Sequence, residues 1–300
     1  MDNKRIQANM IFLLVAAIWG FAFVAQRVGA GYVGAFTFNG TRFFLGALSL
    51  LPLLYMNRGS HKSIDAPNIK TIIAGAVTGG VLFLAASLQQ IGLSDTTAGK
   101  AGFITGLYIV LVPIFGILLK HRISLNMWLG AAVAIAGLYL LSVTGDFTIS
   151  KGDLYELAGA VFWAVHILVI DHYTKSIDAL KLSFVQFMTC SVLSLAIAFL
   201  FETVTMEGFR LAIVPILYGG ICSVGIAYTL QVFGQKYAKP SHAAIVLSME
   251  TVFASLGGFL LLNEIMGMRG YTGCALMLTG MIISQLRFNG SKTDSDPAIK

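Results

Sequence analysis

Charge is scarce along this chain. Only 11% of its 300 residues are Asp, Glu, Lys or Arg, against about a quarter in soluble domains, too few to cover a globular surface in water. Cysteine is scarcer still. Cys190, Cys222 and Cys274 each sit inside an apolar run with no partner at metal-ligand spacing, so neither a disulfide framework nor a metal site is indicated. With only six prolines there is no proline-rich linker or ligand segment. HExxH, GxSxG and P-loop patterns are all missing, as is the pair of aspartates on two spans that an intramembrane hydrolase would need. No cofactor and no enzymatic activity are expected.

Some apparent motifs lose their meaning in context. Residues 29–34, GAGYVG, match a dinucleotide fingerprint by letter, but they follow an apolar span where the motif needs a strand. Asn39-Gly40-Thr41 and Asn289-Gly290-Ser291 match glycosylation sequons, one within a predicted helix and the other on the predicted cytoplasmic face. The net charge of +6 comes from short, scattered basic groups that form no nucleic-acid patch. They read instead as topology signals.

What is present is apolar material, 57% of the chain, in ten runs at roughly 8–26, 35–56, 69–91, 97–119, 125–143, 154–171, 181–201, 211–235, 241–262 and 267–287. Lys4 and Arg5 precede the first run, but no small-residue cleavage site follows, so it is read as a span and not a secretory leader. The expected fold is all-α and integral to the membrane. Fourteen Lys and Arg fall on one face of this topology, and the other face has only Arg27, Lys151, Arg210 and Arg269. That bias predicts cytoplasmic termini in the bacterial inner membrane.

The fourth run, Thr96 to Leu119, returns weakly at Ala238 to Leu261. At a spacing of 142, Gln89 pairs with Gln231, Gly92 with Gly234, Lys100 with His242 and Tyr108 with Glu250. After a one-residue gap, Gly130 pairs with Gly273 and Gly137 with Gly280. This is an internal repeat, expected as 1–145 and 146–287 with a cytoplasmic tail over 288–300. Five spans per half is an odd number, so the second half is inverted, the architecture of carriers that rock around a midplane site.

The pattern AAIWGFAFVAQ at residues 16–26, Arg42 in the second span, TTAGKAGFITGLYIVLVPIFG in the fourth and SMETVFASLGGFLLLNE in the ninth resemble the EamA-type members of the drug/metabolite transporter superfamily. Thr251 stands where the family commonly has Pro, and Asn263 where it has Gly. The resemblance implies ten helices in two inverted five-helix repeats. It also implies a cavity lined by the first, third, fourth, sixth, eighth and ninth, and transport, often export, of amino acids or other small metabolites. The alternatives are an intramembrane enzyme and a non-transporting scaffold or sensor. Partners are a small-molecule substrate and the lipid bilayer, with protons as an optional coupling ion and a homodimer as an open option.

An ionisable group at the centre of a span costs about 2.5–3.5 kcal/mol on insertion scales, so retention points to a cavity or a partner. Glu250, the deepest carboxylate, could exchange a proton or bond a neighbouring helix. Lys100 could attract a substrate carboxylate or snorkel to the surface. Arg42 is read as structural, since the family places the second span outside the cavity. His166 could relay protons or pack. Gln89 and Gln231 could hold a polar substrate or join helices. The aromatic residues Trp19, Tyr108, Trp163 and Tyr228 could line the cavity, with Trp19 and Trp163 favoured because they hold equivalent positions in the two halves.

Overall fold

The computed structural model describes residues 3–56, 68–96, 98–121, 123–142, 150–263 and 267–285; the loop carrying Arg58 and Lys62, and the tail expected over 288–300, lie outside them. Helices occupy each of the ten expected places. In chain order the spans are Asn3–Gly29, Ala35–Met56, Ile69–Asp95, Ala98–Leu118, Leu125–Ser142, Lys151–Tyr173, Ala179–Phe201, Ile213–Gln235, Pro240–Leu262 and Met268–Gln285. A short helix, Met206–Leu211, precedes the eighth. Among the described residues, seven of the ten are long and apolar enough to cross a membrane: the first, third, fourth, sixth, seventh, eighth and ninth. The outside is apolar as well, with Phe199 90% exposed, as expected where lipid replaces water.

Local chemistry sets the helix ends. Ser150 and Asp153 form a reciprocal capping box at the start of the sixth span, and Asp178 accepts from Leu180 N and Lys181 N at the start of the seventh. The second span is capped from a distance: the Glu202 carboxylate accepts from Phe36 N at 2.9 Å and from Thr37 N at 2.7 Å, where the helix dipole favours negative charge. Asn263 closes the ninth span at φ 55°, a left-handed conformation that Asn tolerates in place of Gly. Its counterpart in the first half, Lys120, has φ 62°.

Two runs expected to be continuous are broken. The fourth span divides into Ala98–Gly106 and Tyr108–Leu118, with Leu107 N donating to Ile104 O at 3.1 Å. The ninth divides into Pro240–Leu247 and Glu250–Leu262, with Met249 N donating to Val246 O at 3.2 Å. Such tight i→i+3 turns interrupt the α-ladder, and at a spacing of 142 the two interruptions coincide. The break beside Glu250 forms without a proline at 251. A third departure is the run Tyr218–Tyr228 in the eighth span, wound as a π-helix. Its glycines Gly220 and Gly225 pack so closely on Leu45 and Ser49 that an added Cβ would collide with them.

The packing has two-fold pseudo-symmetry. The third span packs on the sixth and the eighth on the first; the fourth packs on the sixth and the ninth on the first. At the joint of the fifth and tenth spans, a Cβ on Gly137 would lie 2.5 Å from Gly273 O, and one on Gly280 2.5 Å from Gly130 O. Since 130 answers to 273 and 137 to 280, the two contacts exchange under the repeat, the signature of an isologous two-fold. Small residues allow these backbones to approach without a water-driven hydrophobic term.

Candidate functional site

Where the halves meet, a cavity of about 420 Å³ of space between atoms, part of it open to solvent, lies against both broken helices. Tyr108 and Glu250, each the first residue after a break, meet across it, with Tyr108 Oη donating to Glu250 Oε1 at 3.0 Å. Glu250 is only 3% exposed and begins a helical segment, where the helix dipole favours a carboxylate. Because residues 142 apart are partners in the repeat, this bond lies on the pseudo-two-fold itself.

Aromatic rings form the wall. Tyr228 stands between two indoles, 4.6 Å from the Trp19 ring and stacked 6.0 Å from the Trp163 ring. Trp163 Nε1 donates to Gln89 Oε1 at 2.7 Å, and Gln89 Nε2 donates to Gln26 Oε1 at 3.3 Å. Trp19 Nε1 instead donates to the backbone oxygen of Ser223 at 3.2 Å, within the π-wound run. Gln231, the counterpart of Gln89, is therefore left with its Oε1 unpartnered.

Of the nine residues expected at a site, Trp19, Gln89, Tyr108, Trp163, Tyr228, Gln231 and Glu250 line this cavity. Lys100 and His166 do not. Lys100 is paired with Asp153, Nζ to Oδ2 2.6 Å, near the start of the fourth span, because the capping carboxylate of the sixth span is placed beside it. His166 lies behind the wall, its Nε2 3.1 Å from Gln186 Oε1 and its ring edge-on to Trp163 at 5.9 Å.

Arg42, read from sequence as a structural residue outside the cavity, is among the lining residues, so the second span contributes to the wall along with the six expected. Gln26 and Thr105 line it too. Behind Thr105 lies Glu156, fully buried, its Oε2 accepting from Thr105 Oγ1 at 3.2 Å and its Oε1 without a partner. The segment KGDLYEL resembles a solvated helix start. Its one signal is the i,i+3 spacing of Asp153 and Glu156, which places both on one face.

Chemically the cavity offers hydrogen-bonding amides, flat aromatic faces, one carboxylate and one guanidinium. Among the described residues no cluster of His, Cys, Asp or Glu could hold a metal ion.

The pattern of the EamA-like transporter family matches residues 7–143 and again 150–285. An uncharacterized transporter of Archaeoglobus fulgidus is 35% identical over 95% of this chain and 87% of its own length. The uncharacterized transporter YoaV of Bacillus subtilis is 24% identical over 96% of this chain and 99% of its own. A crystal structure with a TM-score of 0.76 at 20% identity covers 93% of this chain and 96% of its own, a likeness of fold. The chain belongs to the EamA-like transporter family of the drug/metabolite transporter superfamily. It is a multi-pass membrane transporter of small molecules.

Proposed function

We propose that this transporter is a secondary carrier exporting amino acids or other small metabolites by alternating access. In this reading, residues 1–145 and 146–287 rock against each other about the cavity, with both termini cytoplasmic in a bacterial inner membrane. The observation that carries it is the Tyr108–Glu250 bond at 3.0 Å. It joins the two halves at the two helix breaks, where exchanging the roles of the halves exchanges the side to which the cavity opens. Trp19, Gln89, Tyr108, Trp163, Tyr228, Gln231 and Glu250 contact the substrate, while Lys100 and His166 hold the helices behind it. Export as the direction rests on the family resemblance. Glu250 is the group placed to carry a coupling proton, since a carboxylate facing both substrate and partner half can load and unload as access alternates.

Vesicles reconstituted with the purified protein and loaded with mixed radiolabelled amino acids test this. Protein-dependent efflux, accelerated by unlabelled amino acid outside, is the expected result. Efflux equal to that of empty vesicles for every compound would sink the carrier reading.

A further inference from the structure

Arg42 lies on the cavity wall, and among the described residues no carboxylate pairs with it. Its side chain is 1% exposed. Nε donates to Asn39 Oδ1 at 3.0 Å, and Asn39 in turn donates to Ala86 O at 2.9 Å, which fixes the guanidinium plane. The Cζ atom lies 4.9 Å from the centroid of the Phe43 ring and 5.6 Å from that of Phe38. These faces attract the cation without neutralising it. Nη2 has no hydrogen-bond partner, and no described carboxylate forms an ion pair with Arg42. Glu250 lines the same cavity but bonds to Tyr108.

We propose that Arg42 anchors the carboxylate of the transported molecule. The cavity then takes small monocarboxylates, zwitterionic amino acids among them, with the body of the ligand against Trp19, Trp163 and Tyr228. This inference rests on the carrier reading of the cavity. A buried guanidinium without a counter-ion is strongly disfavoured, and its planar fork of N–H donors matches a carboxylate with two parallel bonds. With no described carboxylate beside it, the guanidinium is placed to take one from a bound anion.

The repeat provides an internal control against a purely structural role. At the spacing of 144 that carries Trp19 to Trp163, Arg42 corresponds to Gln186. Gln186 is fully buried and pairs with His166. Helix packing at this place is therefore satisfied by a neutral amide, and the positive charge is peculiar to the half whose side chain reaches the cavity. Were Arg42 a tie between helices, Nη2 would meet a neighbouring carbonyl, as the Asn39 amide does. The unpartnered Gln231 Oε1 on the same wall offers an acceptor for the ammonium of an amino acid.

The test uses the full-length protein in lipid nanodiscs, read by quenching of tryptophan fluorescence and by thermal unfolding. The probes are the twenty common amino acids, 3-phenylpropionate and its amide, L-phenylalaninamide and phenethylamine. Expected is saturable binding of at least one carboxylate, with its matched amide weaker by about tenfold or more. In Arg42→Gln acid and amide should bind alike. Arg42→Lys, which keeps the charge but not the fork, should retain a reduced preference and serves as the deciding variant where Arg42→Gln does not fold. Equal binding of acid and amide by the unaltered protein would overturn the assignment. So would an undiminished preference in Arg42→Gln or, where that variant does not fold, in Arg42→Lys, or no saturable response to any carboxylate. Acid-selective binding without vesicle flux would leave this site standing and remove the carrier reading; flux of amides as fast as acids would do the reverse.

Discussion

The two halves of this transporter are built on one plan and finished differently. They share the helix breaks before Tyr108 and Glu250, the left-handed ends at Lys120 and Asn263, and the glycine contacts between the fifth and tenth spans. They differ in what fills equivalent places around the cavity. Tyrosine faces carboxylate across the axis, arginine in one half stands where the other has glutamine, and the eighth span is π-wound where the third is regular. Shared features are those that hold helices together, and a change there disturbs both halves alike. Unshared features concentrate on the cavity wall, where a substrate without two-fold symmetry must be held.

The largest expected effect tests the shared part. Gly137→Leu and its twin Gly280→Leu each drive a side chain into the backbone of the facing helix, where even a Cβ has oxygen 2.5 Å away. Each should cost about 3 kcal/mol or more and lower the unfolding temperature in detergent by a similar amount. Collapse of one twin beside an unaffected other would break the pseudo-symmetry.

Next comes a loss of function without loss of fold. Glu250→Gln keeps an acceptor for Tyr108 Oη but cannot change charge. In proteoliposomes it should abolish flux driven by a pH gradient and leave substrate exchange, since exchange moves no net proton. Tyr108→Phe, altering the other member of the pair, should slow both modes and spare the gradient dependence. Gradient-driven flux by Glu250→Gln equal to that of the unaltered protein would reduce the contact to helix packing.

The indoles give a smaller, asymmetric effect. Trp163→Phe strands the buried Gln89 Oε1, whereas Trp19→Phe releases only a backbone oxygen. The first should cost about 2 kcal/mol and the second about 1; equal shifts in the unfolding temperature would show that the two hydrogen bonds are interchangeable.

Much of this was legible in the sequence, and the reasons for what was not are physical. The 142 spacing and the ten apolar runs follow from composition and periodicity, which the membrane imposes directly. The helix breaks left no trace, because neither GLYIV nor SMETV contains a proline, and only packing selects the tight turns. Seven expected site residues reach one wall because polar and aromatic residues at matching positions of an inverted repeat converge at its axis. The misplacement of Lys100 and Arg42 has one cause. Whether a cation within a span is answered depends on a partner distant in sequence, and Asp153 is 53 residues from Lys100, with nothing in either segment naming the other.

That same ion pair carries the finest test of the comparison. At the repeat spacings Lys100 answers to His242 and Asp153 to Asn9, and the second pair is also formed, His242 Nε2 lying 2.6 Å from Asn9 Oδ1. One joint, between the entry of a broken helix and the entry of its neighbour, is thus made with charge in one half and without it in the other. Lys100 is 29% exposed, and Asp153 keeps Thr96 Oγ1 at 3.0 Å and Ser150 N at 2.6 Å when the lysine is removed. Lys100→Ala should therefore cost only about 1 kcal/mol. The double variant Lys100→His with Asp153→Asn copies the other half's joint, and it should recover most of that loss while removing this pair's share of the salt dependence of the unfolding temperature. Recovery with the salt dependence retained would place the charge effect elsewhere. No recovery would mean that the two joints share position but not geometry, and the pseudo-symmetry would then end at the backbone.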